Sequence, residues 1–219
     1  MDHAEMSNNR VCLTGTIVGQ PVYSHEVFGE GFYETSIRVK RLSEQADVLP
    51  VTVSERLVVN AGLADGKEIT VKGQFRSYNK VEAERSRLML TVFAREIAEA
   101  KEGDIPNLIE ISGYICKPPL YRTTPFKREI CDVLIAVNRA YNKSDYIPCI
   151  AWGRNARYVS SLAVGERIRL EGRVQSREYQ KQLPSGDVVV RTAYEVSVTK
   201  LSVVDGEEPE REAEGVLCP

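Results

Sequence analysis

The 219-residue chain has 42% hydrophobic residues, enough to bury one large core or two of roughly 100 residues each. Its net charge of -2 hides an uneven layout: residues 1–106 carry 13 Lys+Arg against 16 Asp+Glu, residues 107–204 carry 15 against 9, and residues 205–219 carry 1 against 6, so a basic half lies between an acidic half and an acidic tail. No 18-residue apolar run and no basic, apolar leader occur, the five cysteines form no C-x-x-C pair, and the two histidines stand at 3 and 25; these features exclude a disulfide framework and a zinc site and lead us to expect a cytoplasmic protein with no membrane partner.

After a polar arm (1–8), Val11 to Ile17 alternates apolar with small or polar residues and predicts a strand bent at Gly15. Strands are predicted at Phe32–Val39 and Val48–Val53, a short helix at Ser54–Leu63 with Ser54 as its N-cap, and strands at Glu68–Tyr78 and Arg87–Phe93. The charged stretch 95–106 ends in Pro106 and reads as an exposed linker, or a short surface helix running into one, with the linker proper at 97–106.

The pattern then begins again. Leu108–Ile115 matches the first strand, with Gly113 falling 98 residues after Gly15; Cys131–Val137 and Tyr146–Trp152 match the next two. A helix is predicted at Asn155–Leu162, capped by Asn155 and ended by Gly165. Arg167–Tyr179 follows, with Gly172 falling 99 residues after Gly73. A near-constant offset over five strands and a helix is an internal repeat. Two five-stranded units, each with a helix between its third and fourth strands, predict an all-β protein of two tandem OB-fold barrels, at 9–96 and 107–204.

Within the second unit the stretch Asp145–Arg157 is the most informative. Side chains alternate along a strand, so Tyr146, Pro148, Ile150 and Trp152 share one face, and Ile147, Cys149 and Ala151 the other, core face. Trp152 is open to two readings: an indole capping the barrel core, or a platform for a flat base, with Gly153 and Arg154 beside it. On Arg167–Tyr179 the alternation places Ile168, Leu170, Gly172 and Val174 on the core face and Arg167, Arg169, Glu171, Arg173, Gln175, Arg177 and Tyr179 outward. Arginines interleaved with aromatics on a barrel face suit stacked bases beside phosphates, as in single-stranded nucleic acid.

Four segments of this half, NLIEISGYICKPP (107–119), VLIAVNRAY (133–141), SDYIPCIAWGRNARYVSSLAVGERIRLEGRVQSREY (144–179) and TAYEVSVTKLSVV (192–204), resemble the bacterial single-stranded DNA-binding protein family. The resemblance implies base stacking on Tyr141, Tyr146, Trp152 and Tyr179 and phosphate contacts from Arg139, Arg154, Arg173 and Arg177, with Arg122 and Lys127 as further candidates. It also implies an assembly of four OB-folds, hence a homodimer. In the first half, register sets Val48 against Tyr146 and Ser54 against Trp152, which predicts a barrel that has lost most of its stacking platform. The tail DGEEPEREAEG (205–215) has the composition of a disordered segment. Members of that family usually end in an acidic tail whose Phe-containing tip recruits replication or repair proteins, so the resemblance implies such recruitment here, although the closing residues VLCP contain no Phe.

The expected function is coating of single-stranded DNA with little sequence preference in replication, recombination and repair. The alternative is an accessory protein of the primosome or of conjugation that acts through protein contacts. No Ser/His/Asp, Cys/His or acidic metal-binding set can be assembled, so neither enzymatic chemistry nor a cofactor is expected.

Overall fold

The computed structural model describes residues 8–43, 45–82, 85–182 and 186–204. The arm 1–7 and the tail 205–219 lie outside the described residues. Among the described residues eleven strands and two short helices follow in order: β1 (Asn9–Val27), β2 (Glu30–Lys40), β3 (Ala46–Ser54), α1 (Glu55–Ala61), β4 (Glu68–Glu82), β5 (Arg85–Glu99), β6 (Asn107–Ile115), β7 (Leu120–Thr123), β8 (Glu129–Arg139), β9 (Lys143–Trp152), α2 (Gly153–Val159), β10 (Arg167–Gln182) and β11 (Val188–Val203).

Two barrels close by the same rule. β1 pairs with both β2 and β4, β2 with β3, and β3 runs parallel to β5, which returns to β4; in the second half β6, β8, β9, β11 and β10 repeat this circuit. The chain therefore has the tandem OB-fold architecture that the repeat predicts. Each barrel is filled by alternate residues of its strands: Leu13, Ile37, Leu49, Val71, Phe75 and Val92 in the first, and Ile111, Ile135, Ile147, Leu170, Val174 and Val196 in the second, all at most 1% exposed. The matched glycines have a shared cause. A Cβ at Gly73 would collide with the carbonyl oxygen of Phe93, and one at Gly172 with that of Ser197. At both points the register slips by one residue, so the fourth strand bends around the barrel.

The barrels share one sheet because β1 and β6 pair antiparallel from Asn9↔Ile111 to Leu13↔Asn107. The same side-chain bond fastens each of these strands to its own barrel. Asn9 donates to the Phe75 carbonyl at 2.8 Å and accepts from its N–H at 2.9 Å; Asn107 does the same to Val174 at 2.7 and 2.9 Å. Two buried carboxylates then cross between barrels. Asp47 Oδ1 accepts the Ser176 N–H at 2.7 Å, and Asp145 Oδ1 accepts the Ser77 N–H at 2.7 Å. Each also meets an arginine of its own hairpin, Arg41 at 2.6 Å and Arg139 at 3.2 Å.

Several expectations need correction. β5 continues to Glu99, paired with Ile69, so the first three residues of the linker expected at 97–106 are strand and the connection shortens to 100–106. Ser54 precedes α1 without a side-chain cap bond. α2 begins at Gly153 rather than Asn155 and ends at Val159; Asn155 instead donates to the Thr199 carbonyl at 3.0 Å. β7 was not expected. It exists because Pro118 and Pro119 cannot donate to a ladder, splitting into β6 and β7 what is one long strand in β1. The strand expected to end at Tyr179 also runs further, with β10 paired to β11 as far as Gln182↔Val188.

Candidate nucleic-acid interface

The outward face of the second barrel begins with β9. Ile147, Cys149 and Ala151 are at most 3% exposed and point into the core, which turns Tyr146, Pro148, Ile150 and Trp152 outward. Of these, Tyr146 is 46% and Trp152 37% exposed, whereas Ile150 is covered. The Trp152 indole therefore lies on the outer face of the barrel and not in its core. Its edge is fixed, since Nε1 donates to Ser197 Oγ on β11 at 3.1 Å. Ser197 in turn stands opposite Arg173 on β10. Trp152, Ser197 and Arg173 thus form a lateral row across three strands.

A second row lies beside it. Gln175 Nε2 donates to Glu195 Oε1 at 2.8 Å, the Arg177 guanidinium reaches the same carboxylate at 3.7 Å, and it also lies 6.0 Å from the Tyr179 ring centre. The Arg173 guanidinium donates to Gln175 Oε1 at 3.4 Å, joining the rows. A guanidinium held beside a ring keeps a flat face for a base and an N–H edge for a phosphate. Glu195 is 7% exposed. Sequence alternation missed both Glu195 and Ser197, because strand register alone places β11 residues against β10.

The remaining predicted residues are dispersed. Tyr141 sits at the tip of the β8–β9 turn, 94% exposed with a left-handed φ of 60°. Arg154 is exposed in the first turn of α2 and has no side-chain partner among the described residues. Lys127, with φ 58°, lies exposed in the turn between β7 and β8. Arg122 on β7 donates to both oxygens of Asp132, at 2.7 and 3.2 Å. Arg139 is engaged with Asp145, at the junction of the barrels. These two arginines reach a phosphate only by leaving a carboxylate held at 3.2 Å or less, so they are poorer candidates than Arg154 and Arg173, and than Arg177, whose contact with Glu195 is looser at 3.7 Å.

The cysteines of this barrel supply no nucleophile. Burial, with Asp132 nearby, pushes the Cys131 thiol up to about 11, and burial pushes Cys149 higher still, so both stay protonated at neutral pH. Among the described residues no group of three or more His, Cys, Asp or Glu side chains could hold a metal ion, and no helix is long and apolar enough to cross a membrane.

Residues 106–204 match the Single-strand binding protein family. Single-stranded DNA-binding protein 1 of Staphylococcus aureus is 34% identical over 83 residues, covering 35% of this chain and 50% of that protein. The Single-stranded DNA-binding protein of Bacillus cereus is 31% identical over 83 residues, with 35% and 49% covered. The chain thus spans about half the length of these relatives. Among solved structures, the wild-type single-stranded DNA binding protein from Thermus aquaticus superposes with a TM-score of 0.71 over 93% of this chain and 96% of that one, at 19% identity, which is a likeness of fold.

Proposed function

We infer that this chain, whose second barrel belongs to the single-strand binding protein family, binds single-stranded DNA with little sequence preference and coats it during replication, recombination or repair. The observation that carries this reading is the row of Trp152, Ser197 and Arg173 on the barrel's outer face. An indole pinned by its edge offers its ring to any base, since every base has a π-face, and Arg173 and Arg177 stand where the backbone of such a strand would pass. Tyr146 and Tyr179 extend the platform along β9 and β10, with Arg154 at its end. Two barrels per chain make a homodimer the simplest assembly with four.

The test is binding of the full chain to a fluorescently labelled oligo-dT, competed by unlabelled single-stranded and duplex DNA of equal length. The proposal requires competition by the single strand alone and affinity that falls with salt. Equal competition by the duplex would overturn it.

A further inference from the structure

The first barrel carries the same outer layout with its bulky ring moved one strand across. Gly73 and Gly172 are counterparts, and the carbonyls they admit belong to Phe93 and Ser197, so Phe93 occupies the place of Ser197. Ser54 occupies the place of Trp152; Phe32, opposite Ser54, occupies that of Ile130, opposite Trp152. A large residue on β9 beside a small one on β11 is thus exchanged for a small residue on β3 beside a large one on β5. The aromatic surface that the first barrel lacks at position 54 is supplied at position 93.

The surroundings of Phe93 fit a stacking site. The Arg76 guanidinium carbon lies 4.3 Å from its ring centre and that of Arg95 5.1 Å. Phe32 packs beside it at 5.6 Å between ring centres, and the exposed His25 stacks on Phe32 at 5.3 Å with 17° between planes. Tyr78, two residues beyond Arg76 on β4, is 42% exposed. Phe93 is half-buried and Arg95 exposed.

We propose that this cluster, centred on Phe93 with Arg76 and Arg95, is a second binding site for single-stranded nucleic acid. It rests on the reading of the second barrel's face given above. Bases stack on the exposed part of the Phe93 ring and on the Arg95 guanidinium plane, and the outer N–H groups of Arg95 take the phosphates, while Arg76, which donates to Gln74 Oε1 at 2.7 and 3.2 Å, holds the ring. The acidic balance of the first half does not argue against this, because phosphate contact depends on local charge, and Arg76 and Arg95 at the Phe93 ring outnumber the nearby carboxylate of Glu34, which lies near Tyr78.

The test uses the full chain with Trp152→Phe combined with Phe93→Trp, which moves the single indole to the first barrel. Adding an oligo-dT long enough to cover both barrels quenches the indole at position 93 if the site is real. An unresponsive indole at 93, with quenching of Trp152 in the unaltered chain, overturns this inference alone. Failure of both indoles to respond overturns the single-strand reading itself. Arg95→Gln, an exposed change, keeps the test open if the indole variant misfolds: affinity for the long oligo falls severalfold, with salt dependence weaker by about 0.7 in log–log slope, at unchanged melting temperature. Affinity equal to that of the unaltered chain would sink the proposal. Phe93→Ser, which restores the second barrel's residue, weakens binding roughly 5- to 150-fold, the range for one lost base–aromatic stack.

Discussion

Val11 on β1 stands directly opposite Ile109 on β6, and Ile109 is its own counterpart in the second repeat. A strand paired antiparallel with its own copy, centred on one matched residue, places a local two-fold axis there. The Asn9 and Asn107 clasps and the crossed Asp47–Ser176 and Asp145–Ser77 bonds obey the same axis. The duplication therefore built an interface as well as a second barrel.

Removing either carboxylate should cost similar stability. Asp145→Ala strips the Ser77 N–H of its acceptor and leaves Arg139 without its carboxylate at the junction; Asp47→Ala strips the Ser176 N–H and takes the carboxylate from Arg41, which keeps the Ser176 carbonyl. Each arginine retains some exposure, which moderates the loss to about 2–4 kcal/mol. Urea denaturation measures it. A large effect of one substitution and none of the other would contradict the reciprocal arrangement.

The Asp47 half of this junction should also make the fold acid-sensitive. Burial pushes the Asp47 carboxyl up, but hydrogen bonds from Arg41 and Ser176 outweigh it and hold the pKa below its ordinary value. A depressed carboxylate contributes stability in full above its unfolded pKa of about 3.9, and that stability is lost as pH falls through the lower folded value. The urea midpoint should therefore drop between about pH 5 and pH 2, and Asp47→Asn should flatten part of that drop. An Asp47→Asn profile parallel to that of the unaltered chain would count against the assignment.

Separation of the halves should expose β6. In residues 107–204 expressed alone, the edge that met Asn9–Leu13 is free, and its two-fold geometry lets a second β6 take the place of β1. Light scattering should report a dimer for this fragment, and substituting Pro for Ile109 should make it monomeric. A monomer without the substitution would show that the edge is not self-complementary.

The arginines should divide by their partners. Arg154→Gln should weaken oligo-dT binding and lessen the log–log salt slope by about 0.7, leaving the melting temperature unchanged, because Arg154 is exposed. Arg139→Gln should do the reverse, lowering stability through Asp145 with little change in slope. Paired thermal melts and salt titrations distinguish them; the opposite division would mean that Arg139 faces the strand.

Much of this was legible in the sequence. Matched glycines and near-constant offsets gave both barrels, and the alternation in β9 and β10 sorted Ile147 and Val174 inward and Trp152 and Arg173 outward, because each strand there turns only one face into the barrel core. Three features were not legible. Arg139 looks like a surface cation until the fold buries Asp145 beside it. Arg95–Glu99 has the composition of a linker, yet pairing with β4 makes it strand. Comparing Ser54 with Trp152 in register showed a loss; its compensation by Phe93 lies on a neighbouring strand, where only sheet pairing brings the two positions together.

The central claim is that the outer face of the second barrel stacks bases on Trp152, and intrinsic fluorescence of the full chain tests it most directly, since this is the only Trp. Titration with oligo-dT should quench the emission to saturation at the binding stoichiometry, and Trp152→Ala should weaken binding by roughly 1–3 kcal/mol with little change in melting temperature. Emission unaltered by saturating oligo-dT, together with an alanine variant that loses about 3–5 kcal/mol of folding stability as a core aromatic would, would contradict the account.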